Sequence, residues 1–547
     1  MWYKNLMSMD QEDSTEIEQE VVRSELQEYL YLRQQRRRLF PLAALVGLCA
    51  GIIAILFRGA LALADSLRNT LLEQAQEQPV WGWIFPVLFA AAGSALALFL
   101  VRRFAPETKG SGIPHLEAVL QRLRELEWSR VLPVKFVGGI LAMGSGMALG
   151  REGPTVQMGG AVGDALARGF KVSPRERFTL IAAGAGSGLA AAFNAPLSGL
   201  VFVLEEVQRD FHPIVFGTAF LAAAVADVVA RVGVDPFPVF SVSRYPTPPL
   251  VALPAFAVLG MVAGSLGVLF NRTLVASLDA YGRMKNKILA TAVTGALIGL
   301  IGWFSPIAIG NGHVLAEMAL RDGILLAAIP LWFLIRFVLT VSSYGTGVPG
   351  GIFAPLLVLG ALIGLAVGKI TQIIAPAAVP VPGVFAVVGM AAYFTAIVRA
   401  PLTGVVLIIE MTGNYEQMLP LLVSCFFAYA VTEALKDLPI YEVLLERDLL
   451  HEGESTDLAQ PVVMDFTVQE GAPFEGRLVR SLGLPAGCII VRCSTGRREW
   501  VPRASTRLEA NMRITVVAEP DASLGLAILR RGCDAWPTIT RDTFHKA

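Results

Sequence analysis

The stretch LAMGSGMALGREGPTVQMGG, residues Leu141–Gly160, places an arginine and a glutamate within a run of glycines and apolar residues. The apolar residues are typical of a membrane helix, in which a carboxylate costs about 2.5–3.5 kcal/mol. Glu152 is therefore expected to be paired, protonated or functional. An ion pair with Arg151 is one interpretation, although adjacent residues on a helix point apart. The surrounding glycines favour the other interpretation, a carboxylate with a function.

The composition is that of an integral membrane protein. Hydrophobic residues make up 54% of the 547 residues and charged residues only 16%, which is too little charge for a soluble surface. Apolar stretches recur from Leu39 to about Leu435, and many are short, broken by Gly or Pro, or too long for one straight span. This unevenness predicts tilted and half-spanning helices, whose irregular backbone is buried in protein or lines a cavity.

Charge and cysteine content exclude several classes of protein. The formal net charge is zero, so no overall field favours nucleic acid. The polar segment 1–38 ends in RQQRRR directly before the first apolar stretch, which predicts a cytoplasmic N-terminus, and it has no pattern of a cleavable signal peptide. The five cysteines lack zinc-site spacing, so we expect ordinary thiols, with no metal and no cofactor.

Two segments of the chain resemble each other. GAGSGLAAAFNAPLSGLVFVLEE begins at Gly184 and GMAAYFTAIVRAPLTGVVLIIEM begins at Gly389, and a constant offset of 205 superposes Glu205 on Glu410. A chance match of two Gly/Ala-rich segments is the alternative, but the shared proline and glutamate favour an internal repeat. Repeats with Gly- and Pro-broken helices are typical of transporters whose site lies between the halves. The predicted halves are residues 40–235 and 250–445.

The C-terminal part has a different character. From Pro461 to Pro520 the sequence shows short alternating strands, CIIVRC and RITVVAE, a turn at STGRRE and a small helical stretch around GRLVRSLGL. We therefore predict a separate cytoplasmic α+β domain at 461–520, followed by a tail at 521–547.

Three glycine-rich turns occur beside apolar helical runs. Besides GREGP, they are GSGIPH at Gly110–His115 and GVPGGIFAP at Gly347–Pro355. A helix that starts near Pro154 directs its positive N-terminal end toward the preceding loop, which makes an anion site without a fixed cation. The sequence therefore predicts that three helix ends converge on one anion.

These turns carry a resemblance to a known family. GSGIP, GREGP and GGIFAP, in this order, resemble the three motifs of the CLC chloride channels and chloride/proton antiporters, and the resemblance covers roughly residues 40–450. It implies an all-α membrane protein with an inverted repeat of tilted and broken helices in a transport domain at 39–450. It also implies a homodimer in the lipid bilayer with one ion pathway per subunit.

The resemblance also implies the site residues. Chloride would be bound by the hydroxyls of Ser111 and Tyr441 and by the backbone N–H groups of Ile352 and Phe353. Glu152 would be the gating glutamate, because its carboxylate can occupy an anion site in place of chloride. Without the resemblance, a tyrosine near the end of a span is an interfacial anchor and a serine in a turn is a cap.

Proton coupling rests on one further carboxylate. Antiporters of the family carry a second glutamate after the NAPLSG stretch, which maps onto Glu206 in FVLEEVQRDF. The anion is expected to be chloride rather than nitrate, because Ser111 occupies the position at which nitrate-selective relatives have proline. Chloride/proton antiport is therefore the first functional prediction, and a passive voltage- or pH-gated chloride channel is the alternative. An interfacial glutamate or a structural salt bridge remains the other interpretation of Glu206.

Two further expectations concern the type of protein and its location. His115, His212 and His313 are scattered and the chain has no nucleophile elbow, HExxH pair or Walker loop, so we do not expect an enzyme. The segment after residue 461 resembles the TrkA-C regulatory domain of bacterial potassium-uptake proteins. That resemblance implies a prokaryotic plasma (inner) membrane protein and a small ligand for this domain. The apolar stretches, the basic cluster before the first of them and the soluble C-terminal segment together predict a multi-pass protein with both termini in the cytoplasm.

Overall fold

The computed structural model describes residues 2–78, 80–209, 212–233, 240, 245–376, 381–451, 462–484, 487–495, 498–518, 528–529 and 532–533. The chain divides into two compact units, Met1–Arg447 and Asp448–Ala547.

The first unit is helical, as the resemblance implied. Its first half contains α1 Trp2–Gln76, α2 Ile84–Phe104, α3 Ile113–Leu120, α4 Trp128–Gly144, α5 Glu152–Gly169, α6 Pro174–Phe193, α7 Pro196–Phe202 and α8 Pro213–Gly233. Its second half contains α9 Leu253–Arg283, α10 Lys287–Phe304, α11 His313–Leu320, α12 Ile329–Gly345, α13 Phe353–Ile374, α14 Gly383–Val398, α15 Pro401–Thr412, α16 Met418–Ala434 and α17 Ile440–His451.

The helices differ in length as the apolar stretches predicted. Within the described ranges, eight are long and apolar enough to cross a membrane. By contrast, α3 and α11 have eight residues each and α7 has seven, which is well short of a span. Short helices bring helix ends, with their backbone groups that lack intrahelical partners, into the interior of the unit.

The two halves pack in the same way. In the first half α5 packs on α6 through Gly159, where an added Cβ would lie 2.1 Å from the carbonyl oxygen of Gly184. In the second half α13 packs on α14 through Gly360, where a Cβ would lie 2.4 Å from the carbonyl oxygen of Gly389. Only glycine allows helices to approach this closely. The equivalent positions of these contacts support the internal repeat.

The second unit contains a four-stranded antiparallel sheet in the order β1-β4-β2-β3. The strands are β1 Val462–Thr467, β2 Cys488–Thr495, β3 Arg498–Trp500 and β4 Arg513–Ala518. The two predicted strands, CIIVRC and RITVVAE, lie in β2 and β4, and their buried Ile490, Ile514 and Val516 belong to a core separate from that of the helices. The predicted helical stretch around GRLVRSLGL is only a 3₁₀ turn, Val479–Ser481.

Candidate ion-binding site

Backbone hydrogen bonds join the three glycine-rich turns. The N–H of Gly110 donates to the carbonyl of Val348 at 3.2 Å, and the N–H of Gly350 donates to the carbonyl of Gly110 at 2.9 Å. Gly150 and Gly351 exchange two hydrogen bonds of 2.8 and 2.7 Å. The turns before α3, α5 and α13 therefore form one structure, and the starts of these helices lie close together.

Ser111 lies inside this structure. It is fully buried, and its Oγ accepts hydrogen bonds from the N–H of Ile113 at 3.4 Å and from the hydroxyl of Tyr344 at 3.5 Å. A Cβ added to Gly153 would lie 2.8 Å from the Cβ of Ser111, so this serine lies directly against the start of α5. The long hydrogen bonds leave its hydroxyl hydrogen able to turn toward a ligand.

The start of α13 contributes backbone donors. Ile352 and Phe353 are fully buried at its N-terminus, where N–H groups have no partner within the helix. The ring of Phe353 lies 6.0 Å from the ring of Tyr441. Tyr441 is also fully buried, and its hydroxyl has no hydrogen-bond partner among the described residues. Neutral donors of this kind bind an anion without a fixed positive charge.

Glu152, the first residue of α5, places its carboxylate over the same helix end. Its side chain is 3% exposed, and its Oε2 has no hydrogen-bond partner in the described part of the chain. A Cβ added to Gly150 would lie 2.2 Å from this Oε2 and 3.1 Å from the backbone nitrogen of Ala354. The guanidinium of Arg151 donates to the carbonyl of Ala192 at 3.1 Å, and its charge also acts on the carboxylate of Glu152. The carboxylate therefore lies beside the start of α13.

Glu206 lies in a π-turn, Val203–Val207, that directly follows α7. The N–H of Gln208 donates to the carbonyl of Val203 at 2.9 Å and closes this wider turn. The side chain of Glu206 is 3% exposed, and its Oε1 has no hydrogen-bond partner among the described residues. An exposed interfacial glutamate is therefore not what the structure contains at this position.

Glu205, the neighbour of Glu206, binds the second half of the chain. Its carboxylate accepts hydrogen bonds from the backbone N–H groups of Leu402 and Thr403, at 3.0 and 2.7 Å, and from the Thr403 hydroxyl at 2.7 Å. It thereby caps the N-terminus of α15. The π-turn separates the directions of Glu205 and Glu206, since one side chain reaches α15 and the other is buried.

Glu410 makes the reciprocal contact. Its carboxylate accepts hydrogen bonds from the N–H groups of Leu197 and Ser198, at 3.1 and 2.8 Å, and from the Ser198 hydroxyl at 2.6 Å. It thereby caps the N-terminus of α7. Each half thus caps a short helix of the other with the glutamate that the repeat superposes, an arrangement expected of two halves related by an approximate two-fold axis.

Sequence reasoning missed one buried carboxylate. Glu117 in α3 is 2% exposed, its Oε1 has no hydrogen-bond partner among the described residues, and it lies close enough to Glu206 for their charges to interact. A glutamate inside the apolar sequence IPHLEAVL was the available signal. His115, by contrast, is an ordinary buried histidine, with its Nδ1 3.3 Å from Nε2 of Gln157.

Two helical halves whose broken helices meet at a set of buried polar donors define a membrane transport protein of the internal-repeat type. Residues 93–433 match the model of the family described as voltage gated chloride channel, and residues 463–525 match the TrkA-C domain. The chain belongs to the voltage gated chloride channel family and is a multi-pass membrane protein with a C-terminal TrkA-C domain. Both resemblances seen in the sequence are thereby confirmed.

Relatives and solved structures agree with this assignment. The H(+)/Cl(-) exchange transporter ClcA of Vibrio parahaemolyticus is 40% identical over 416 residues, which cover 75% of this chain and 89% of the relative. ClcA of Klebsiella pneumoniae strain 342 is 39% identical over 435 residues, covering 78% and 92%. The structure of a slow cyanobacterial Cl−/H+ antiporter is 37% identical, with a TM-score of 0.74, and the match covers 76% of this chain and 99% of that one. A CLC-type fluoride/proton antiporter, at 20% identity, has the same fold with a TM-score of 0.63.

Proposed function

We propose that this protein exchanges chloride for protons across the membrane. The observation that carries the proposal is a pair of buried carboxylates, Glu152 at the start of α5 and Glu206 in the π-turn after α7, in a unit that also contains a set of neutral anion donors. A passive chloride pathway needs the donors, whereas proton movement needs groups that can bind and release a proton inside the protein. The names of the relatives, which are exchange transporters, support the same function.

Chloride binds between the two halves. The ligands are the hydroxyls of Ser111 and Tyr441 and the N–H groups of Ile352 and Phe353. These donors are neutral, so they compensate an anion's lost hydration without holding it too tightly for transport. Glu152 is the gate: its carboxylate competes with chloride at the start of α13 and leaves when it is protonated or displaced.

Protons take a route that diverges from the chloride path on one side of the protein. With the N-terminus in the cytoplasm, Glu206 is the inner proton relay and Glu152 the outer one. Glu117, next to Glu206, shares the inner proton. Water molecules or movement of the Glu152 side chain bridge the space between the two relays. The protein acts as a homodimer in a prokaryotic inner membrane, and a small ligand of the TrkA-C domain regulates it.

The decisive test replaces the inner relay and leaves the chloride donors intact. Chloride flux and pH are recorded together in liposomes that contain the intact protein or the Glu206→Gln variant. We expect the intact protein to move protons against a chloride gradient, and the variant to move chloride with proton flux lost. Glu446→Gln, which neutralises an exposed carboxylate of α17, is the matched control and should remain coupled.

Each outcome separates two mechanisms. Chloride movement without any proton movement in the intact protein would establish the passive channel. Normal coupling in Glu206→Gln would remove this residue from the proton route. The companion variant Glu152→Gln should also uncouple the fluxes, because an amide can neither compete as an anion nor carry a proton.

A further inference from the structure

The turn that contains Ser111 has a counterpart in the second half of the chain. Gly110-Ser111-Gly112 precedes α3, and Gly310-Asn311-Gly312, 200 residues later, precedes α11. The backbones agree: φ is 58° at Gly110 and 69° at Gly310, and 81° at Gly112 and 80° at Gly312. Both turns need glycine at these left-handed positions. Asn311 is therefore the structural counterpart of Ser111.

A buried cation holds each of these turns. Nζ of Lys135 donates to the carbonyls of Thr108 and Gly110, at 3.0 and 2.8 Å. Nη1 of Arg336 donates to the carbonyls at the two equivalent positions of the second half, Ala308 and Gly310, at 2.9 and 2.8 Å. Lys135 and Arg336 are both fully buried. The second turn is thus fixed as firmly as the one that we assign to chloride.

The helix that faces each turn is also repeated. An offset of 201 places Gly150 on Gly351, Glu152 on Phe353 and Pro154 on Pro355. The turn that contains Ser111 is joined to the start of α13. Because Asn311 corresponds to Ser111 and α5 corresponds to α13, the repeat places the turn of Asn311 beside the start of α5. The structure agrees with this. Gly310 donates to the carbonyl of Gly146 at 2.7 Å, in the loop that leads to α5.

Asn311 lines a cleft together with the gating glutamate. The walls of this cleft, which we call the gate cleft, include Arg151, Glu152, Asn311, His313 and Ala354. Glu152 is only 3% exposed, and its Oε2 has no hydrogen-bond partner among the described residues. The carboxylate of Glu152 therefore forms part of the wall of the gate cleft.

Only the oxygen of the Asn311 amide is used in the turn that precedes α11. Its Oδ1 accepts a hydrogen bond from the N–H of His313 at 3.0 Å, which satisfies the first N–H of α11 through an Asx turn ahead of the N-cap Gly312 and leaves Nδ2 with its two hydrogens on the other side of the amide. The residue itself is exposed. The guanidinium-bearing Arg151 lines the same cleft and adds positive charge to it.

We propose that Asn311 is an anion ligand: its amide N–H group binds chloride in the gate cleft, beside Glu152 and on the side opposite to Ser111. The site is the repeat counterpart of the Ser111 site, with a longer donor side chain at the equivalent turn position. Chloride held there is next to the carboxylate that it must displace. This assignment rests on the proposed function and adds a specific residue for anion entry from the side of the gate.

The test compares two asparagines whose Oδ1 accepts from an N–H in the first turn of a helix. Asn311→Asp keeps the accepting oxygen and replaces the amide donor by a negative charge, and Asn286→Asp makes the same change at the exposed start of α10, where Oδ1 accepts from Leu289 N–H at 3.1 Å. Exchange in liposomes is measured as a function of chloride concentration with the full-length protein. We expect the half-saturating chloride concentration to rise roughly tenfold for Asn311→Asp and to stay unchanged for the control.

Two further variants separate a ligand from a distant charge. Asn311→Ala removes the donor without adding charge and should raise the half-saturating concentration severalfold, while Asn311→Ser keeps a donor and an acceptor and should resemble the intact protein. If only Asn311→Asp changes the half-saturating concentration, and the change disappears at high ionic strength, the effect comes from the added negative charge acting through solvent. That result would overturn the assignment of Asn311 as a ligand. Equal behaviour of Asn311→Asp and Asn286→Asp would overturn it as well. A lack of proton coupling in the intact protein would instead count against the proposed antiport.

Discussion

Gly150 determines where the Glu152 carboxylate can lie. A side chain at this position would place its Cβ 2.2 Å from Oε2 of Glu152 and 3.1 Å from the backbone nitrogen of Ala354. The first contact is far below any real Cβ distance, so a methyl group there must displace the carboxylate. The first glycine of GREGP is thus needed because it leaves room for the Glu152 carboxylate beside the start of α13.

We therefore expect Gly150→Ala to give a protein whose gate no longer closes normally. Chloride transport should become less dependent on pH and the chloride-to-proton ratio should rise, which paired flux recordings in liposomes measure. Gly169→Ala is the matched control, because a Cβ at Gly169 meets nothing within 4 Å. If Gly150→Ala couples chloride and protons as the control does, the Glu152 side chain can close the gate from another position.

The buried Lys135 fixes the turn that contains Ser111. Replacing it by methionine keeps most of the volume but leaves the carbonyls of Thr108 and Gly110 without their donor. Each buried unpaired group costs about 1–3 kcal/mol. We expect Lys135→Met to lower the melting temperature of the purified protein clearly, whereas Lys285→Met, at an exposed position, should not change it. Equal melting temperatures for the two variants would show that the turn is held by its glycine contacts alone.

At the level of single residues, the sequence revealed the turns that need glycine and proline. It did not reveal side chains that bind backbone groups far away in the sequence. GSGIP, GREGP and GGIFAP were visible because their turns need these residue types. The donors Lys135 and Arg336 were not recognised, since a buried cation that binds carbonyls has no local pattern. Asn311 was missed because the repeat was found at an offset of 205, and the turns before α3 and α11 repeat at 200.

At the level of helices, the two halves are joined by reciprocal caps. Glu205 caps α15, Glu410 caps α7, and each accepts three hydrogen bonds from the other half. The sequence showed the two glutamates as equivalent but gave no reason for their presence. That reason lies in contacts between residues about 200 positions apart, and in a π-turn, neither of which the local pattern reveals.

This arrangement predicts that the two caps contribute equally to stability but unequally to transport. A glutamine at either position loses the charge that its three donors stabilise, at a cost of about 1.5–3 kcal/mol for a hydrogen bond to a charged group. We expect Glu205→Gln and Glu410→Gln to lower thermal stability to a similar extent. Only Glu205→Gln should change proton coupling, because Glu205 anchors the π-turn that orients Glu206. A similar change in coupling for both variants would contradict this positioning role.

At the level of the whole molecule, composition predicted a membrane protein with a separate C-terminal domain, and the helical unit and the small sheet bear this out. The sequence also indicated short and broken helices, because glycine and proline interrupt its apolar stretches. Its three glycine-rich turns also predicted that the starts of α3, α5 and α13 meet, but it did not indicate how closely the helices within each half pack. That packing depends on glycines such as Gly159, which lets α5 approach α6, and Gly360, which lets α13 approach α14, and composition alone does not reveal these contacts.

The last prediction concerns the independence of the helical unit. Met1–Arg447 is compact by itself, and all the proposed ion ligands and proton relays lie at or before Tyr441. A protein that ends after His451 keeps α17 complete and removes the sheet. We expect it to exchange chloride for protons in liposomes at a rate within about twofold of that of the full-length chain, as expected for a unit with its own core. Regulation through the TrkA-C domain should disappear, whereas a folded truncated protein without transport would show that the sheet is part of the transport machinery.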